Sequence, residues 1–182
     1  MRQQQKEETR RRILDSATSA LRTRGLDSPS VGEVMGGAGL TVGGFYAHFG
    51  SKDELMFEAL EKVFRERQEY WSEHLPDVPA AERRSLLGRG YLSRGHRDTE
   101  EACCPLPAIL SDLPHQDPQL RDLLARYLEV CVQQMSDTRK PAERSAALAD
   151  LALMVGGLTL ARALGATPLS DEILAASKAA IR

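Results

Sequence analysis

The sequence predicts an all-α protein: a small N-terminal three-helix head of helix-turn-helix type, then a larger helical body, with about nine helices altogether. Three observations support this. Apolar residues recur three and four apart along nearly every stretch, and no segment sustains the alternation of a half-buried strand. Helix ends are marked by caps and breakers, among them Gly25, Ser51-x-x-Glu54, Pro76, Pro79 and Pro105. Two short helical segments meet at Gly39 behind a longer first helix, which is the arrangement of a helix-turn-helix.

From Glu8 to Arg24, Ile13, Leu14, Ala17, Ala20 and Leu21 form one apolar stripe with the basic residues off it, and Gly25 is a C′ stop. Asp27 to Ser30 reads as loop, with Ser30 capping a short helix from Val31 to about Ala38. Gly39 turns the chain, and Thr41 is expected to cap the next short helix through its hydroxyl. Ser51 and Glu54 form a capping box for a helix from Ser51 to about His74. Further helices are expected over Ala80 to about His96, from Pro105 to Pro114, over Gln119 to Met135, over Ala142 to Leu164, and over Ser170 to Ile181 with Ser170 as its cap. Gly95 to Cys104 is expected to be loop.

At 182 residues the chain can bury a core without disulfides or metal. Its start, Met1 to Arg12, has no apolar run of the kind a secretory signal needs. The most apolar segment, Leu148 to Leu164, contains Asp150 and Arg162 and reads as too short to span a bilayer. No membrane association and a cytoplasmic location are expected, and an odd count of three cysteines suits a reducing compartment. The formal charge of −2 hides an asymmetry. Residues 1–52 hold 8 Lys and Arg against 5 acids, leaving 16 bases and 21 acids in the remainder. A basic head on an acidic body suits docking of one end on a polyanion.

The stretch Leu40 to Lys52 organises the chain. Phe45 and Phe49 lie four apart and share a face, while Tyr46 and His48 point elsewhere. Gly43 and Gly44 inside one short helix cost about 1 kcal/mol each relative to Ala. Something outside the helix must offset that, and a smooth glycine surface pressed against DNA would do so.

These residues carry a family resemblance. Arg12 to Ala17, Gly25, Val31 to Val34, Ala38 to Thr41, Phe45 to Phe49 and Ser51 to Leu55 resemble the N-terminal domain of the tetracycline-repressor (TetR/AcrR) family of transcription regulators. Cys104 to Asp112 and Gly157 to Ala163 resemble C-terminal segments of one branch of it. The resemblance implies a DNA-binding domain over 1–50 and a ligand-binding and dimerisation domain over 51–182. It further implies a homodimer on a palindromic duplex operator and release by a small-molecule inducer, without catalysis or cofactor. Thr41, Tyr46, His48 and Lys52 would meet phosphates, with Ser30, Arg10 and Arg11 as further backbone contacts. Base reading would fall to Val42, Gly43, Gly44 and Phe45, with core packing of the small domain the other reading of Phe45 and the favoured one of Phe49. With no Arg, Asn or Gln among them, readout is expected from close backbone approach, thymine methyls and DNA shape.

In the body, the helices at 142–164 and 170–181 are apolar around most of their circumference and need a partner. A second copy, approached closely at Gly156-Gly157, is the expected one. Phe64, Trp71, Tyr91, Cys104, Tyr127 and Cys131 are the expected pocket, with Phe57, Tyr70 and Met135 nearby, and the ligand lipophilic or aromatic. Cys103-Cys104 before Pro105 suggests an alternative redox-responsive regulator, with Cys131 as resolving thiol. A thiol enzyme using Cys104 is a further alternative. No Cys/His spacing matches a zinc pattern, so no metal is expected even with His96 and His115 near.

Overall fold

The computed structural model describes residues 2–27, 29–75, 77–99, 104–137 and 139–181. Among the described residues nine α-helices follow in order: α1 (Arg2–Arg24), α2 (Val31–Gly37), α3 (Lys52–His74), α4 (Ala80–Tyr91), α5 (Arg94–Asp98), α6 (Leu106–Ile109), α7 (Pro118–Met135), α8 (Pro141–Leu164) and α9 (Pro168–Ala180). Two 3₁₀ segments, Val42–Ala47 and Leu113–His115, lie between them. The fold is all-α, with no strand among the described residues.

By packing the chain forms two compact units. The first is Met1–Glu66 with Cys104–Arg121, and the second is Arg67–Cys103 with Asp122–Arg182. The division therefore falls inside α3 rather than ahead of it, and a segment distant in sequence completes the first unit.

In that unit, Ile13, Ala17 and Leu21 of α1, Val34 and Met35 of α2, and Leu55, Ala59 and Leu60 of α3 are buried, each large one worth about 1.5–3 kcal/mol. Ser30 closes a full capping box with Glu33 at the start of α2, as its sequence pattern requires. Ser51 Oγ accepts the Glu54 N–H at 3.0 Å. The reciprocal arm differs from the expected box, because the Glu54 carboxylate takes the Gly50 N–H at 2.7 Å. Gly25 adopts φ 81° where α1 ends, and its bare Cα lets α6 approach: a Cβ there would stand 2.6 Å from the Ala108 carbonyl oxygen. One residue on, the Leu26 N–H donates to Asp112 at 2.8 Å, so the end of α1 is held by the 104–121 segment.

In the second unit α8 and α9 form an antiparallel hairpin, with α4 and α5 packed on α8. Gly157 faces inward, where a Cβ would stand 2.7 Å from Ser177 Oγ. The close approach expected between two copies at Gly156-Gly157 is thus, at Gly157, an approach of α9 within the chain. Gly156 lies on the outer face. Four expected boundaries move. The helix from Ala80 breaks at Leu92, and Ser93 caps a new one through the His96 N–H, so part of the expected 95–104 loop is α5. The chain past Leu110 keeps a 3₁₀ turn through Pro114 instead of stopping there. The cap of α9 is Thr167, not Ser170. Ser170 is fully buried, donating to the Ala161 carbonyl at 3.0 Å and accepting from Arg97 at 2.8 Å.

The buried Arg97 guanidinium is also paired with Asp98 and Asp171, which satisfies a charge that would otherwise be costly to bury. The apolar residues 148–164 lie within the helix expected from Ala142, which runs from Pro141 to Leu164. By length and composition α8 could cross a membrane, with 24 residues and an 18-residue window of mean hydropathy 1.6. It carries Asp150, buried and paired with Arg84 at 3.3 Å.

Candidate nucleic-acid interface

The 3₁₀ segment Val42–Ala47 starts at Thr41, whose extended backbone ends the Gly39 turn but whose hydroxyl makes no cap bond. At six residues it is longer than the roughly three or four usual for a 3₁₀ helix. Phe45 is fully buried, stacked on Phe49 with centroids 5.9 Å apart and edge-on to Tyr46. It anchors the segment to the core, so the expectation that Phe45 reads bases is corrected: its ring has no exposed surface. What remains outward is Val42 (52% exposed), Gly43 and Tyr46 (75% exposed). A Cβ added at Gly43 would meet nothing within 4 Å, and one at Gly44 only a Met35 methyl at 3.9 Å. The fold itself therefore does not require glycine at position 43.

The basic residues are distributed differently from the sequence expectation. Arg10 is ion-paired with Glu58 and lies over the Phe49 ring, 4.4 Å from its centroid. Arg11 is paired with Glu8 and Asp15, and the Ser30 hydroxyl donates to Glu33. Lys52 Nζ donates to the Asp27 carbonyl at 3.0 Å and faces a cleft that Asp27, Asp53, Glu54 and Asp117 make acidic. A duplex meets repulsion on that side.

Lys6 is the residue that sequence reasoning missed. It is exposed and has no ion pair among the described residues, and its charge, with that of Arg10, helps to depress the His48 pKa after burial has done so first. His48 is therefore neutral at physiological pH. Its Nδ1 is buried without a hydrogen-bond partner, which leaves Nε2 as the nitrogen able to serve an oxygen from outside. The available signal was helical phase: position 6 lies four before Arg10.

The expected pocket residues divide between the units. Phe64 and Cys104 belong to the first and are buried, and Tyr127 is buried in the second, where Cys131 is half-buried. Trp71 and Tyr91 line a cleft of about 400 Å³ in the second unit, together with Arg67, Tyr70, Leu86 and His96. Cys103 lies outside the described residues. Among the described residues no group of three His, Cys, Asp or Glu side chains is placed to hold a metal ion.

The first unit thus defines the class: a helix-turn-helix head whose exposed tip is a glycine-bearing 3₁₀ turn. Residues 13–59 match the family model of bacterial regulatory proteins of the TetR family. The HTH-type transcriptional regulator AcrR of Shigella flexneri is 41% identical over 58 residues, which are 32% of this chain and 27% of AcrR. The match therefore spans about a quarter of that relative. Two solved structures share the fold at low identity. NemR of E. coli in its reduced form has TM-score 0.78 and 17% identity, covering 96% of this chain and 95% of its own. A TetR-family transcriptional regulator from Agrobacterium tumefaciens has TM-score 0.75 and 18% identity, covering 97% and 98%. Over residues 13–59 the chain is therefore similar to TetR-family regulators, and its fold is similar to theirs along nearly the whole length.

Proposed function

We propose that this chain is a homodimeric, ligand-responsive transcriptional regulator that binds a palindromic operator and is released by a small molecule. The observation that carries the DNA contact is the Val42–Gly43–Tyr46 tip, where glycine has no role in the fold and the neighbouring side chains stand out from it. A duplex pressed on Gly43 supplies the missing reason. Val42 meets thymine methyls, and the backbone at Gly43 and Gly44 reads groove shape. Thr41, Tyr46, His48 and Lys6 hold phosphates, and Arg10, Arg11, Ser30 and Lys52 reach them only by giving up the internal partners described above.

In this reading residues 1–50 are the DNA-binding domain and 51–182 the ligand-binding and dimerisation domain. Leu148, Leu160 and Leu164 of α8 and Leu169 of α9 are between 40% and 56% exposed. They supply an apolar face for the same face of a second copy, over 142–164 and 170–181. The ligand shifts α3, and with it the spacing of two heads that must stand about 34–36 Å apart on successive grooves. A cytoplasmic location accompanies this role. The thiol-dependent readings have less support, since Cys104 is 2% exposed and offers little surface to a substrate or oxidant.

The test is fluorescence anisotropy of the chain with duplex DNA from upstream of its own gene, at about 50 and 200 mM salt, against a scrambled duplex. Selective binding that weakens by about 10³-fold or more over that range is expected for several phosphate contacts. Equal, weak binding to both duplexes, repeated with a pool of random duplexes, would overturn the reading.

A further inference from the structure

The second unit contains a cleft whose walls select for shape more than for charge. It lies between the C-terminal half of α3 and the helices α4 and α5, with a volume of about 400 Å³, in the range of small-molecule sites. Tyr70 and Trp71 meet edge to face with centroids 5.2 Å apart, and His74 stacks on Tyr70 at 4.1 Å. On the other side Tyr91 and His96 meet edge to face at 4.6 Å. Rings from three helices thus line one hollow, and the chain does not close over them. Tyr70 is 45% exposed and Leu86 40%, both within the cleft.

Two further features set the occupant. The first is that the cleft offers a ligand little charge to pair with. No carboxylate lines it among the described residues. Its guanidinium, Arg67, is already engaged within the chain and lies over the Tyr70 and Trp71 rings, 5.7 and 5.8 Å from their centroids. His96 Nδ1 is 2.8 Å from the Tyr91 carbonyl oxygen, so this nitrogen carries the proton and donates it. Burial, with the Arg162 and Arg67 charges after it, holds His96 down to about 4, and its ring is neutral at physiological pH. A charged group entering here would give up its hydration with little opposite charge to replace it. The second feature is Gly90 on the α4 side, where an added Cβ would meet nothing within 4 Å. Two residues earlier Gly88 is pressed against Ile181, so its lack of a side chain serves packing. Gly90 has no such internal role, and what it does is leave the cleft open to a flat group.

We infer that this cleft binds an uncharged, planar aromatic molecule of one or two rings, lying among Trp71, Tyr70 and Tyr91 over Gly90. Ring walls favour a flat aromatic partner over a puckered one of the same size, because faces and edges carry opposite partial charge. An acid or an amine on the same ring loses more on leaving water than this lining returns. The inference rests on the reading of this chain as a ligand-responsive regulator, and it is tested by binding alone, without DNA.

Trp71 is the single tryptophan of the chain, so its fluorescence reports occupancy of this cleft directly. The full-length protein is titrated with 3,5-dichlorobenzamide, with the matching benzoate, with the matching benzylammonium, and with cyclohexanecarboxamide. Saturable quenching is expected with the benzamide about ten-fold tighter than each of the others. Y70L, at a half-exposed position, is expected to weaken the benzamide about five-fold while leaving cyclohexanecarboxamide unchanged. G90L, whose added side chain enters open space, is expected to keep the fold and abolish quenching by all four. A benzamide no tighter than cyclohexanecarboxamide, a benzoate or benzylammonium tighter than the benzamide, quenching that does not saturate by about 10 mM, or unimpaired binding by G90L would each overturn the proposal. If the benzamide binds as stated but DNA affinity is unmoved by it, the regulatory reading fails and the cleft assignment stands.

Discussion

Gly25 and Gly43 are the same residue type under opposite demands. Gly25 sits at positive φ with the α6 backbone close against it, whereas Gly43 is exposed with open space where a side chain would be. Gly25→Ala is therefore expected to lower stability by about 1–2 kcal/mol or more through backbone strain and collision. Gly43→Ala is expected to leave the melting temperature unchanged or raise it slightly, while reducing operator affinity by about ten-fold or more. Thermal melts and anisotropy on both variants check this, and a loss of stability in Gly43→Ala would remove the case for an external partner. The sequence alone distinguished Gly43 and Gly44 by their cost in a helix, and it correctly identified Ser30 as the cap of α2, because both effects are local. It left Phe45 open between core packing and base contact, and it could not foresee that Arg10 and Arg11 have partners at home. Those outcomes depend on which way a short 3₁₀ turn faces and on acids brought near by folding.

At the scale of elements, the break at Leu92 places His96 on its own short helix, turned back on Tyr91. The folded pKa of His96, about 4, lies below the ordinary value of 6.5, so between those values the unfolded chain binds the proton and the folded chain does not. The stabilisation is complete above about pH 6.5 and is lost as pH falls towards 4, with an upper size of about 3 kcal/mol. Urea unfolding at pH 7.5 and 4.5 should show a larger drop for the unmodified chain than for His96→Gln; equal drops would mean the imidazole is not buried as described. Helical periodicity located α3, α7, α8 and α9 to within a few residues, since each has a long apolar stripe, but it began the first helix at Glu8 where α1 starts at Arg2, because the residues before Glu8 carry no stripe. It merged α4 with α5, because Leu92 continues the stripe and the interruption is set by Ser93 capping through its hydroxyl. It took Ser170 as the cap of α9, where the structure uses Thr167, for a related reason. Both have suitable side chains, and only the approach of Arg97 and Ala161 decides that Ser170 is buried.

For the whole molecule, the outer face of α8 and α9 is the largest concentration of exposed leucine in the second unit, with Leu160 at 56% and Leu169 at 54%. Leu160→Glu is expected to leave each chain folded and to shift it from dimer to monomer in sedimentation experiments. Operator affinity should then fall by about 10²-fold or more, because two linked heads become one. A variant that stays dimeric would place the second copy on another surface. The apolar composition of these helices was plain in the sequence, but which of their faces the chain itself covers was not. Nor was the recruitment of residues 104–121 into the first unit, since contacts between distant segments leave no periodic trace.

That recruitment has a consequence in time. A chain leaving the ribosome presents residue 66 well before residue 121, and at about 5–20 residues per second the interval is roughly 3–11 s. Throughout it the Leu26 N–H has no Asp112 to receive it, and the side of α1 that α6 will cover is bare. The head is thus translated first and finished late, a window in which a chaperone or a neighbouring nascent chain can reach it.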